Sequence, residues 1–203
     1  MTILLTSFDA FGEAAINASQ ELLLSLPEQL GTIRLVKHVL PTVFGRAADE
    51  AAALIDALQP DAVVCLGQAE GRDAITPERV AINVMDARMP DNDGFQPRDL
   101  PITPEGPDAY FSTLPIRRMV EAIEAASVPA RISNTAGTFV CNSLMYALLH
   151  HIGGLETPIP CGFIHVPLLD TQPRPAGTPA LPLGDLRRGL IAALQSLASS
   201  ENA

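Results

Sequence analysis

Short apolar runs alternate along the chain with longer stretches of helical periodicity. Thr2–Thr6 is a run of β-branched and aliphatic residues and predicts a buried strand. Asn17–Leu26 predicts a short helix, and Ile33–Leu40 a second strand ended by Pro41. Val43–Leu58 is an Ala-rich helical pattern stopped by Pro60, and Ala62–Leu66 a third strand closed by Gly67–Arg72. Glu78–Val84 reads as a further strand, Ile116–Ala126 as a helix and Ala130–Asn134 as a strand. From Asn134 to His151 a polar turn leads into an apolar helix with Val140, Leu144, Ala147 and Leu148 on one face and Thr138 as the predicted N-cap. Ile159–Val166 is a strand ended by Pro167. Leu183–Ser199 is a closing amphipathic helix, with Ser200–Ala203 as a tail.

Two stretches break the rhythm. Residues 85–115 carry Pro90, Pro97, Pro101, Pro104 and Pro107 and the turn Asp91–Gly94, but also Phe95 and Tyr110, which predicts an ordered extended loop or a small β-excursion. Gln172–Pro182 is Pro-rich and predicts a flexible loop. Nothing resembles an interdomain linker or a repeat, so residues 1–203 are expected to form a single domain. Strands alternating with helices predict an α/β three-layer sandwich, a mostly parallel twisted sheet with helices on both faces. Ligands in such folds sit at the carboxyl ends of the strands. Phe8, Phe11, Gln68, Arg72 and His165 all fall at or just beyond predicted strand ends.

Composition narrows the function. The 203 residues carry a formal charge of −10 with no basic block, so no nucleic-acid partner is expected. No stretch approaches the ~20 apolar residues of a membrane span. The start, Met1–Asp9, lacks the charged region and apolar run of a signal peptide. The three cysteines, Cys65, Cys141 and Cys161, form no C-x-x-C pair, which argues against a disulfide framework or a zinc site and for reduced thiols in the cytoplasm. No metal or cofactor is expected.

Cys141 falls in or near the first turn of the apolar helix. There the dipole and free N–H groups favour a thiolate and can hold an oxyanion. A lone cysteine on such a helix is more often a core residue, so the chemical reading needs a base. His38 lies within a strand pattern, where a packed or surface role is commoner. His150 and His151 lie more than two turns from Cys141, roughly 14 Å along one helix, and are expected to pair with its C-terminus. His165 remains. If the strand it ends lies beside the one preceding the Cys141 helix, thiol and imidazole share one edge of the sheet. A carboxylate should orient the imidazole, and Glu70, Glu78, Asp86 and Asp170 are all candidates on spacing alone.

Five segments bring a family into view: T-S-F-D-A-F-G at Thr6–Gly12, G-Q-A-E-G-R at Gly67–Arg72, P-E-R-V-A-I-N-V-M-D-A-R-M-P-D-N at Pro77–Asn92, G-T-F-V-C-N at Gly137–Asn142 and F-I-H-V-P at Phe163–Pro167. In this order they resemble pyroglutamyl peptidase I (pyrrolidone-carboxylate peptidase), a family of cysteine peptidases. The resemblance implies Cys141 as nucleophile, His165 as base and Glu78 as orienting acid. It implies Arg88 close to the reacting centre. Phe8, Phe11, Met89, Phe139 and Val140 become expected walls of a substrate pocket, with Thr42 and Gln68 supplying polarity. The implied substrate is a peptide with an N-terminal pyroglutamyl residue, a small neutral lactam. The family often forms dimers or tetramers, which implies a homo-oligomer.

The first segment departs from the family pattern T-G-F-x-P-F-G-G-x-x-x-N-P. Ser7, Ala10 and Glu13 replace Gly, Pro and Gly, Ala18 follows Asn17 where Pro is usual, and Met89 replaces the common Ile. These changes alter loop flexibility beside the pocket and motivate an alternative, a catalytically weak or inactive lactam-binding protein. A third reading, a nucleoside phosphorylase or hydrolase, lacks a Walker-type loop.

Overall fold

A computed structural model describes residues 1–12 and 14–198. Glu13 and the predicted tail, with Ser199, lie outside the described residues. In chain order the elements are β1 (Thr2–Phe8), α1 (Ala18–Ser25), β2 (Gln29–Leu30), β3 (Ile33–Leu40), α2 (Arg46–Leu58), β4 (Ala62–Gln68), β5 (Thr76–Pro77), β6 (Val80–Ile82), β7 (Ala109–Phe111), α3 (Ile116–Ala125), α4 (Val140–Gly153), β8 (Cys161–Val166), β9 (Leu168–Leu169), β10 (Ala180–Leu181) and α5 (Leu183–Ala198). The main sheet runs β2-β3-β1-β4-β8-β5. Its four inner strands are parallel, and β2 and β5 pair antiparallel at the two edges.

The apolar runs of β1, β4 and β8 follow from this position. Each is buried on both faces of the sheet, so alternation is lost. Ile3, Leu5, Val64 and Ile164 pack on one face with residues of α1, α3 and α5. Leu4, Val63, Cys65 and Phe163 pack on the other with residues of α2 and α4. The chain is thus a single-domain α/β three-layer sandwich, as the alternation predicts.

Local chemistry sets several boundaries. Asn17 caps α1 by accepting the Ser19 N–H at 3.0 Å. α2 begins only after Gly45, whose φ of +72° no β-branched residue would adopt, and ends at Gln59 in the left-handed region just before Pro60. Thr138 does not cap α4. Phe139 occupies the N-cap without a side-chain bond, and the Thr138 hydroxyl donates 2.7 Å to the Asp86 carbonyl. The first N–H groups of α4 therefore have no side-chain cap.

Two predicted strands come out differently. Of Glu78–Val84 only β6 is a strand, paired with β7; β5, just before it, joins the main sheet, and Glu78 lies between the two. Residues 130–134 form no ladder, only isolated bridges at Ile75–Ala130 and Glu78–Ser133. The segment still runs alongside residues 75–79, with bonds from Ile75 N–H to the Pro129 carbonyl and from Ser133 N–H to the Pro77 carbonyl. Pro77 has no N–H to give, so the bond that would join the two bridges is missing.

Within residues 85–115, β7 and a Met85–Leu100 bridge provide regular structure. The Asn83 side chain holds Ile102 N–H, Thr103 N–H and the Thr103 carbonyl. Tyr146 on α4 donates to the Pro107 carbonyl at 2.6 Å. His150 and His151 do not satisfy the end of α4. They meet Tyr110 and Asp56, each at 2.8 Å, while His38 meets Glu50 at 2.6 Å.

Candidate active site

The strand register assembles the site. Gly67 on β4 lies beside His165 on β8, and His165 lies beside Thr76 on β5. α4 then brings Cys141 over the same strand ends. A Cβ placed on Gly67 would come within 3.1 Å of Cys141 Sγ and 2.7 Å of the Phe163 ring. Only glycine lets thiol, ring and strand approach this closely.

His165 is 3% exposed and Glu78 is fully buried. His165 Nδ1 and Glu78 Oε1 are 2.7 Å apart. A carboxylate only accepts, so Nδ1 carries the hydrogen and Nε2 keeps a lone pair. The same Oε1 is 2.8 Å from Arg72 Nη1. That guanidinium also donates to the Thr76 hydroxyl, and at 3.1 Å to the Thr135 carbonyl, in the turn that leads to α4. Glu78 Oε2 has no hydrogen-bond partner among the described residues.

The helix-start argument for a resting thiolate meets a stronger opposing effect. Burial pushes the Cys141 thiol up to about 12, and the Glu78 charge adds to it. The residue's own backbone N–H and the Arg72 charge oppose the rise without cancelling it. Burial also holds His165 below its usual value. The Glu78 hydrogen bond and charge work against that, and Arg72 adds to it. Both shifts favour the uncharged forms, a thiol and an imidazole, on the two side chains that open into the cavity.

Cys141 and His165 both open into a cavity of about 140 Å³, lined also by Phe8, Phe11, Asn17, Thr42, Gln68, Ala136 and Phe139. Phe8 packs on Phe163, and Phe11 on Phe139, with ring centroids 6.3 and 6.0 Å apart. Three residues expected at the pocket are elsewhere. Val140 is 1% exposed and packs in the core on the α2 and α4 face. Met89 is exposed with its methyl against Gly12, so it backs the Phe11 loop from outside. Arg88 is exposed and absent from the lining. The cation that touches Glu78 is Arg72, which falls just beyond a predicted strand end and inside the G-Q-A-E-G-R segment but carries no role in the sequence. Asn17 and Ala136 are additions to the expected lining. A larger cavity of about 580 Å³ lies at the opposite ends of the strands, between the ends of α2 and α4, and no cysteine or histidine lines it.

A thiol and an imidazole that open into one cavity at the strand ends of an α/β sheet, with a buried carboxylate behind the ring, define a cysteine hydrolase. Comparison with known proteins narrows the class. The model of the pyroglutamyl peptidase family matches residues 1–200. The pyrrolidone-carboxylate peptidase of Alkaliphilus oremlandii is 49% identical over 197 residues, covering 97% of this chain and 92% of that relative. A second such peptidase, from Caldanaerobacter subterraneus, is 47% identical over 201 residues, 98% of each. The crystal structure of pyroglutamyl peptidase I from Bacillus amyloliquefaciens superposes with a TM-score of 0.94 at 42% identity, covering 98% of both chains. A mutant pyrrolidone carboxyl peptidase from Pyrococcus furiosus gives 0.92 at 35% identity, covering 98% of this chain and 99% of that one. The chain belongs to the pyroglutamyl peptidase family, and it is a cysteine peptidase.

Proposed function

We propose that the chain removes an N-terminal pyroglutamyl residue from peptides, with Cys141 as nucleophile, His165 as general base and acid, and Glu78 as the group that orients the ring. The carrying observation is the single cavity into which Cys141 and His165 both open, with the imidazole held from behind by buried Glu78. Phe8, Phe11 and Phe139 supply flat apolar walls for a five-membered ring, and Thr42 and Gln68 supply its polar contacts.

As Cys141 Sγ attacks the carbonyl joining pyroglutamate to the next residue, its proton passes to His165 Nε2. Charge develops on the carbonyl oxygen beside the uncapped N–H groups of α4. His165 returns the proton to the leaving amine, and the C–N bond breaks to leave a thioester on Cys141. Water, deprotonated by His165, attacks the thioester, and free pyroglutamate departs with the thiol restored. A lactam-binding protein without activity would have no use for an imidazole fixed by a buried carboxylate, so the catalytic reading is favoured.

The test is a fluorogenic pyroglutamyl amide. Wild-type protein should turn over, Cys141→Ser should not, and Glu78→Gln should lose on the order of 10³–10⁴ in kcat, by analogy with triads whose orienting acid is neutralised. No turnover by folded wild-type protein would end the proposal. We propose further that the protein works in the cytoplasm as a homo-oligomer, a dimer or tetramer. Three free thiols support the first, and exposed Phe95, Leu100 and Phe111, the last 68% exposed, support the second. Light scattering would read the subunit count.

A further inference from the structure

The polar side of the pocket is set by a relay that starts one side chain behind its lining. Gln172 is buried, and its Oε1 accepts the Leu169 backbone N–H at 2.7 Å. A backbone N–H can only donate, so this bond fixes which end of the Gln172 amide is oxygen. Its Nε2 must then face the other way. It does, donating to the Ile16 carbonyl at 3.2 Å and to Gln68 Oε1 at 2.9 Å. A second backbone donor agrees: the Ala18 N–H gives to the same Gln68 Oε1 at 2.7 Å. With its oxygen turned away and doubly bonded, Gln68 is left with its NH₂ for the cavity that it lines. No hydrogen bond within the protein occupies that NH₂ among the described residues.

Across the cavity, Thr42 has the opposite polarity. Its one hydroxyl hydrogen is directed to Asp9, at 2.8 Å from Oδ1, which leaves the oxygen lone pairs to accept. Asn17, the other amide in the lining, has its oxygen bonded by Ser19 and one of its two N–H groups given to the Asp9 carbonyl. Gln68 and Thr42 therefore give the cavity a fixed donor and a fixed acceptor. A lactam holds C=O and N–H side by side on one edge and matches this pair.

We propose that Gln172 is a specificity-determining positioning residue: without touching substrate, it locks the Gln68 amide with NH₂ toward the pocket, so that the pocket reads the lactam carbonyl. The proposal rests on the pyroglutamyl reading of this cavity. It predicts that polarity, more than volume, makes Gln172 indispensable to recognition.

The test compares Gln172→Glu with Gln172→Met. Glutamate keeps the size and still accepts from Leu169, but it sets an acceptor against Gln68 Oε1 and favours a flipped amide that presents oxygen to the lactam carbonyl. Methionine removes the relay but leaves Ala18 holding Gln68. KM for a pyroglutamyl amide should rise about 30-fold or more in Gln172→Glu and about three- to tenfold in Gln172→Met, with kcat changed much less. Competitive inhibition by 2-pyrrolidinone should weaken in the same order. The rate of Cys141 alkylation by iodoacetamide should stay within about twofold of wild type, which a general collapse of the site would not allow. If Gln172→Glu does not fold, the Gln172→Met KM and 2-pyrrolidinone values decide alone. Wild-type turnover with KM unchanged in the folded variants, or a fall in kcat alone, overturns the relay. Absence of wild-type turnover overturns the pyroglutamyl reading itself, and the relay with it.

Discussion

Arg72 and His165 share one oxygen of Glu78, which makes the guanidinium a third party to the proposed proton transfer. Its charge stands close enough to disfavour the imidazolium, adding to the effect of burial. Removing that charge should therefore raise the His165 pKa. The base is then protonated at higher pH, and the acid limb of kcat/KM against pH should move upward in Arg72→Gln. Arg72→Lys keeps the charge but loses the fork to Thr135. It should leave the limb near its wild-type position while kcat falls. At this scale the sequence was uneven in what it told. Cys141 and His165 could be reached from a helix start and a strand end. Glu78 could not be separated from three other acids without the family resemblance, because it lies between two short strands that pair with different partners. Gln172 acts through a contact to a residue distant in the chain, its bond to Gln68, 104 positions away. Spacing carries no trace of such a contact. The departures Ser7 and Ala10 meet different surroundings. The Ala10 carbonyl is held by Asn92 at 3.0 Å, so the loop is tied down without proline. The Ser7 hydroxyl is buried with no partner among the described residues, and nothing in the structure explains it.

Between elements, Asn142 is the joint that keeps the segments of Glu78 and Cys141 in register. Next to Cys141 on α4, it accepts the Ile82 N–H at 2.9 Å and donates to the Ile82 and Val84 carbonyls at 2.9 and 3.0 Å. It thus plays the part of a neighbouring strand for β6, the segment that follows Glu78. Asn142→Ala would strand three backbone groups around a buried side chain, and should cost about 2–3 kcal/mol in urea unfolding. The long elements, β3 and α2 to α5 among them, were legible because each carries one clear period over eight or more residues. The two- and three-residue strands β5, β6 and β7 were not, since their pairing depends on Pro77 and on side chains such as Asn142 that no local pattern announces.

For the molecule as a whole, the two cores differ in chemistry. The one under α2 and α4 contains Cys65 and Cys161, both buried. Burial pushes Cys65 up to about 12 and Cys161 well above its usual 9.0. Below pH 9 both thiols are protonated folded or unfolded, and stability is unaffected. Above it the unfolded chain releases protons that the folded one retains, so stability falls as pH rises from 9 toward 12. Each thiol should contribute a loss of about 1.4 kcal/mol per pH unit in that window. Chemical unfolding at pH 8 and pH 10.5 should show the fall, and it should be shallower in Cys161→Ala. His165 acts in the opposite direction on the acid side. With its folded value lowered, stability falls as pH drops below about 6.5, where the unfolded histidine takes a proton first.

The lining that receives the ring has no acidic or basic side chain apart from the neutral imidazole, and this decides what happens after the first cut. The shortened peptide leaves with an ordinary charged amino terminus, an ammonium that would lose its water in this cavity with no anion to meet it. The product is thereby refused as the next substrate. Each peptide is unblocked once and released, and the chain behind it is left for enzymes that grip a free terminus.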